Sequence, residues 1–273
     1  MNNTHARTNN TNPSLKMRRK VVFFLRHGQA THNVRAEAMR ADGCSYEAFI
    51  AQMAADDEFD AALTAHGVAQ AREVGATAAA GRAAACVDLV IASPLSRAID
   101  TADLVLPAEA APGARRVLRE EWREISGLLL NAKRLPTSEL AAKYAGGWDA
   151  AKLPTEHDAL WAPEELEATE ACAERGYQGL RWLWQAAEGR VAVAAHGGMF
   201  SFLMNHPRIQ ACEKLKARFH NCELRGCAMT AVEQEGGGGG DSGGGAEEPV
   251  FRLEWLDLED PATFAPLAND VVA

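Results

Sequence analysis

No stretch of the chain approaches the eighteen or so consecutive apolar residues that cross a bilayer, so membrane insertion is not expected. Cysteine is sparse. Cys44, Cys86, Cys172, Cys212, Cys222 and Cys227 form no CxxC pair and no dense disulfide pattern. That scatter favours a reducing compartment, and a cytoplasmic location is expected. The first twenty residues hold Arg7, Lys16, Arg18, Arg19 and Lys20 but no acid, and they lack the apolar core of a secretory signal. Residues 1–19 read as a disordered polar tail, with a short organelle-targeting segment as the second reading.

Several catalytic signatures are also missing. The stretch HGQATHN lacks the GxGxxG turn, and Gly236 to Gly240 do not lead from a strand into a helix, which disfavours a dinucleotide site. No serine sits in a GxSxG elbow. The histidines form no HExxH and no tight cluster with aspartate, and His27 with His32 lacks helical i,i+4 spacing. No metal and no cofactor is therefore expected. A formal net charge of -9 disfavours a nucleic-acid partner, because an acidic surface repels phosphodiester.

What is present is ordinary for a globular protein: 273 residues, 47% hydrophobic and 24% charged. Lys20 to Leu25, Val87 to Ala92 and Arg190 to Ala195 read as buried strands, and Arg115 to Leu118 as a short one. Leu63 to Ala80 reads as a helix with Thr64 as N-cap. A second helix is expected from Pro94 to about Leu106, with Ser93 as its cap. Glu164 to Ala187 is a long helical stretch, broken near Gly176 or Gly179, and Met199 to Asn205 is a short one. Asn221 to Val232 and Val250 to Leu256 read as late edge strands, with Gly236 to Gly245 as a flexible hairpin loop between them.

The alternation implies an α/β fold, a three-layer α/β/α sandwich with a mostly parallel central sheet. One domain is expected over residues 20–260, with residues 120–163 as an irregular insertion or lid and 261–273 as a C-terminal tail. In such sheets the site lies at the carboxyl ends of the strands.

Three of those ends carry polar groups. The first strand delivers Arg26 and His27. The second delivers Ser93, with Arg97 one helical turn later. The third delivers His196, followed by Gly197 and Gly198. If the strands are neighbours, two imidazoles and two guanidiniums meet in one cleft. An anion such as a phosphate relieves that gathering, and arginine gives it directional, charge-assisted bonds. A neutral imidazole can attack phosphorus, and a nearby acid must protonate the leaving oxygen. Glu120, Glu121 and Glu124 in LREEWREISG are the candidates. Taken singly, each of these residues is as well explained by a core, loop or surface position; the joint placement after separate strands is what carries the reading.

These segments resemble the histidine phosphatase superfamily, in its phosphoglycerate mutase-like branch. LRHGQATHN contains the RHGxxxxN signature as Arg26, His27, Gly28 and Asn33. LTAHGVAQA at Leu63 to Ala71 resembles LTxxGxxQA. ASPLSRAIDTA at Ala92 to Ala102 resembles SPLxRAxQTA, with Asp100 where glutamine is usual. VAAHGGM at Val193 to Met199 resembles the late VxHGG.

The resemblance implies a phosphoglycerate mutase-like fold, His27 as the phosphorylated nucleophile and His196 beside it. Arg26, Arg97, Asn33 and Gly197 would then contact the phosphoryl group. Many members carry the acid three or four residues before a glycine. Glu124, three before Gly127, is therefore chosen, with Glu120 and Glu121 as alternatives.

Trp122 to Arg134 and Glu156 to Leu183 further resemble plant and fungal phosphoglycerate-mutase-like proteins. Here Asn131-Ala132 replaces a cysteine-aspartate pair, and Leu166-Glu167 replaces an arginine-glutamate pair. Glycolytic mutases carry an ERHYG segment where this chain has WREISG at Trp122 to Gly127. The expected activity is therefore hydrolysis of a small phosphorylated metabolite through phosphohistidine. Mutase-type transfer and an inactive phosphate-binding or regulatory module are the alternatives. Specificity is expected from Thr31 to Phe59 and Glu120 to Pro163. The oligomeric state is left open.

Overall fold

Strand β1 (Arg19–Arg26) sends alternate side chains into two separate cores. Val22 and Phe24 enter one, and Val21, Phe23 and Leu25 enter the other. A strand buried on both faces needs helices on both sides. The computed structural model describes residues 19–55, 58–232 and 248–265. After β1 come α1 (Asn33–Ala41), α2 (Tyr46–Ala54), α3 (Ala65–Gly75), α4 (Ala78–Cys86), β2 (Leu89–Ala92), α5 (Ser96–Val105) and β3 (Arg115–Leu118). Then follow α6 (Thr137–Lys143), α7 (Thr169–Gln185), β4 (Arg190–Ala195), α8 (Gly197–Met204), β5 (Ile209–Ala211), α9 (Glu213–Lys216), β6 (Leu224–Val232) and β7 (Val250–Leu256).

The seven strands form one mixed sheet in the order β3-β2-β4-β1-β6-β7-β5. All neighbours are parallel except β6, which runs antiparallel to both β1 and β7. Helices α7 and α8 pack one face, and α3, α4 and α5 pack the other. This is the expected α/β/α sandwich. Register places the strand ends together: Arg26 lies opposite Ala195, and Ala92 opposite Ala194. The next residues, His27, Ser93 and His196, therefore emerge side by side.

The boundaries differ from the sequence reading in instructive ways. The helix expected over Leu63 to Ala80 is two helices. Thr77 ends α3 by donating to the Val74 carbonyl, and its hydroxyl caps α4 by accepting from Ala80 N. Ser93 does not cap α5. That helix starts at Ser96, whose backbone N–H and hydroxyl both donate to the buried carboxylate of Asp60, at 2.9 and 2.6 Å. A distant acid takes over the cap, which leaves Ser93 free for the site.

Helix α7 runs unbroken through Gly176 and Gly179. A Cβ at these positions would press on Met199 Sδ and the Trp122 ring, so the glycines allow close packing rather than a break. The late strands β6 and β7 are interior; β3 and β5 are the edges, because the short β5 covers β7. The glycine-rich stretch Gly236 to Gly245 lies outside the described residues, as does nearly all of the N-terminal tail. The segment expected as a C-terminal tail begins with a 3-10 turn (Pro261–Phe264), and Phe264 stacks on Phe23 with ring centroids 5.9 Å apart. Among the described residues no helix is long and apolar enough to cross a membrane.

Candidate active site

His27 leaves β1 almost fully buried, 2% exposed. Its Nδ1 lies 2.6 Å from the Gly28 carbonyl oxygen. A carbonyl only accepts, so Nδ1 carries the proton and Nε2 presents its lone pair. Burial, then the charges of Arg97 and Arg26, push the His27 pKa well below the usual histidine value, so the ring is neutral at pH 7. The loop after it fits because Gly28 has no side chain: a Cβ would come 2.7 Å from the Gly67 carbonyl oxygen. Gly67 is equally constrained, since its own Cβ would overlap the Gln29 carbonyl. These two contacts give the physical reason for glycine in both HGQATHN and LTAHGVAQA.

The His196 ring centroid lies 5.0 Å from that of His27, and His196 Nε2 sits 2.7 Å from Ser93 Oγ. His196 is held neutral by the same causes, burial first and Arg97 next. Arg26 donates through Nη1 to the Phe219 carbonyl at 2.8 Å and through Nη2 to Glu37 at 3.2 Å. Arg97 is fully buried on α5 and donates from Nη1 to the Asn131 carbonyl at 2.7 Å. Burial pushes its pKa down to about 10, against the pull of Asp60 and Glu124. Thr101 ties these parts together: its hydroxyl accepts from Gly28 N at 3.0 Å and donates to the Arg97 carbonyl at 2.7 Å.

Asn33 shapes the loop, accepting from Ala30 N at 3.0 Å through Oδ1 and donating from Nδ2 to His32 Nε2 at 2.9 Å. Gly197 lets Arg26 pass: a Cβ there would lie 3.1 Å from Arg26 Nε.

The three candidate acids separate clearly. Glu120 is bound by Arg123 and Arg134, and Glu121 by Arg119. Neither lines the cavity. Glu124 does. Its carboxylate sits on the first turn of α8, accepting from Gly198 N at 3.2 Å and Met199 N at 2.9 Å, and also from Ile125 N at 3.0 Å. The backbone that carries it is clamped from α7. Arg175 donates to the carbonyls of Glu120, Glu121, Arg123 and Glu124, and is itself fixed by Glu167 at 2.7 Å.

Above these groups opens a cavity of about 440 Å³. Arg26, His27, Asn33, Glu124 and Gly197 line it, and Arg97 and His196 lie fully buried beneath that lining. Of the polar residues on that wall that were not singled out from sequence, His32 and Asn131 are buried. His32 is buried with Nδ1 lacking a hydrogen-bond partner among the described residues. Asn131 is buried with Nδ2 in the same condition. His32 sits inside the RHGxxxxN signature, at one of its unspecified positions. Asn131 was visible only as a departure from the branch pattern.

The fold and this arrangement agree with the family comparison. The family model of the histidine phosphatase superfamily (branch 1) matches residues 22–240, and the chain belongs to that superfamily. A phosphoglycerate mutase-like protein of Arabidopsis thaliana is 28% identical over 235 residues, covering 76% of this chain and 83% of that protein. Among solved structures, phosphoglycerate mutase from Bacillus anthracis aligns with a TM-score of 0.48 at 16% identity, over 92% of this chain and 98% of that one. A mycobacterial glucosyl-3-phosphoglycerate phosphatase aligns with a TM-score of 0.46 at 21% identity, over 86% and 98%.

Proposed function

We propose that the protein is a phosphomonoesterase working through a phosphohistidine on His27. One observation carries the reading. Arg26 Nε, Arg97 Nε, Arg97 Nη2 and His196 Nδ1 are buried nitrogens without hydrogen-bond partners among the described residues, all belonging to the groups gathered around His27. Leaving buried polar groups unpaired costs free energy, typically about 1–3 kcal/mol each. The oxygens of a tetrahedral anion supply the matching acceptors, and two guanidiniums supply the matching charge.

The chemistry then follows from the named atoms. His27 Nε2 forms a bond to phosphorus as the ester P–O bond breaks, and protonated Glu124 gives its proton to the leaving oxygen. Arg26 and Arg97 hold the negative charge of the transferring group. Water next attacks the phosphohistidine, Glu124 takes back a proton, and His27 Nε2 leaves with inorganic phosphate as the product. The presence of both histidines, both arginines and an adjacent carboxylate argues for an active enzyme over a binding module.

Mutase-type transfer uses the same first half-reaction, and phosphate is then returned to a second hydroxyl instead of to water. Time-resolved phosphate release from a panel of small monoesters, with 3-phosphoglycerate included and its 2-isomer followed, separates the two. Release without isomerisation is expected. Rapid isomerisation with little free phosphate would make the protein a mutase.

A further inference from the structure

The upper cavity is not built like its floor. Tyr46, Phe49, Ile50 and Met53 of α2 follow one another at i, i+3, i+4 and i+7, so one helical stripe faces the opening. Ile125, Leu129 and Phe202 complete an apolar wall. A compact, hydroxyl-rich leaving group gains nothing from such a wall. An aromatic or similarly apolar body gains roughly 25 cal/mol for each Å² removed from water.

Two further cations border the same space. Arg40 lies with its guanidinium carbon 3.5 Å from the Phe49 ring centroid, and Arg218, the neighbour of Phe219 in the chain, lines the same cavity. Both are exposed, and neither side chain has an acidic partner among the described residues. The cavity lining holds three arginines, Arg26, Arg40 and Arg218, against one carboxylate, Glu124. Glu37 is already engaged by Arg26. A phosphoryl group answers Arg26 and the buried Arg97, which leaves Arg40 and Arg218 for another anion.

Resting on the phosphomonoesterase reading, we infer that the substrate is an amphipathic phosphomonoester. Its body is aromatic or similarly apolar and lies against α2, and its far end carries a second anionic group held by Arg40 and Arg218.

Calorimetric titration with non-hydrolysable phosphonates tests this without requiring turnover. Methylphosphonate, benzylphosphonate and 4-carboxybenzylphosphonate are titrated into the wild-type protein, Arg40→Ala, Arg218→Ala and Phe49→Ala. Benzylphosphonate should bind about tenfold tighter than methylphosphonate, and the carboxylate should add about another fivefold, equivalent to roughly 1 kcal/mol. Arg218→Ala and Arg40→Ala should each erase most of the carboxylate gain while keeping the benzyl gain. Phe49→Ala should reduce the benzyl gain. The arginines are exposed, so these variants keep the fold.

Equal affinity for the three phosphonates, or equal weakening of all three in the arginine variants, would overturn the inference. Phosphate release from p-nitrophenyl phosphate, run on the same preparations, reports on the hydrolytic reading separately. Hydrolysis without phosphonate discrimination sinks the substrate class alone. Discrimination without hydrolysis of any monoester sinks the hydrolytic reading alone. Absence of binding to every phosphonate overturns the substrate class whatever the release assay shows.

Discussion

The carboxylate of Glu124 rests directly on the bare backbone of Gly198, accepting its N–H at 3.2 Å in the space a side chain would fill. A Cβ at residue 198 would overlap Glu124 Oε1. The obstructed group is the end of a flexible side chain, so Gly198→Ala should fold normally and displace the carboxylate. Hydrolysis of alkyl phosphates should fall by about tenfold or more, within the range of general-acid effects. Esters with activated leaving groups need little protonation and should be affected less. Glu124→Gln should show the same selectivity more strongly. A uniform loss across leaving groups in both variants would remove Glu124 from the role of acid and return attention to Glu120 and Glu121.

Arg175 never reaches the cavity, yet it holds the segment that does. Its guanidinium collects the carbonyls of Glu120, Glu121, Arg123 and Glu124, and Glu167 fixes it from the other side. Lysine keeps the charge but cannot spread donors over four carbonyls. Arg175→Lys should therefore lower kcat for alkyl phosphates by about tenfold, with KM changed less than threefold, because positioning rather than binding is lost. Activated esters should again be spared. A fall in thermal stability with an unaltered leaving-group dependence would make Arg175 purely structural.

Much of this site was legible in the chain because it follows strand ends. Arg26, His27 and His196 leave β1 and β4, and parallel pairing brings such ends together whatever the side chains do. Arg97 was legible through its spacing from β2. The cap of α5 was not, because Asp60 reaches it across 36 residues and no local pattern encodes that contact. Helices α1 and α2 were also missed. The residues of α2 lining the cavity show a helical stripe only once the cavity is known. Asn131 showed only as a departure from the branch pattern, because its position depends on donation from Arg97 to its carbonyl, a contact made through packing.

His27 itself gives the sharpest test of the chemistry. Among the described residues that line the cavity, its Nε2 is the one ring nitrogen whose partner nitrogen is fixed as a donor by an adjacent carbonyl. His27→Ala should abolish phosphoryl transfer, by at least about 10⁴-fold given the cost of removing a covalent nucleophile. Circular dichroism should be unchanged, because the loop is held through Gly28 and Thr101. Wild-type enzyme quenched in alkaline detergent, where the P–N bond survives, should carry phosphate on histidine, and the variant none. Turnover near wild-type in His27→Ala would end the phosphohistidine assignment.

Stability should depend on pH in a direction set by the same burial. His27, His32 and His196 all have folded-state pKa values well below 6.5, chiefly from burial and secondarily from Arg97. In the unfolded chain each takes up a proton near pH 6.5, whereas the folded protein keeps them neutral. Stability is therefore fully present above about pH 6.5 and falls as pH drops from there toward the folded pKa values. Each ring adds up to about 1.4 kcal/mol per pH unit to the slope. Urea unfolding at intervals from pH 7.5 to 5.5 should show a midpoint that is flat at the upper end and then declines. His32→Asn, which removes one of the three protons, should make the decline about a third shallower. A midpoint constant down to pH 5.5 would mean that the three imidazoles are solvated enough to protonate in the folded state. The neutral nucleophile would then need another explanation.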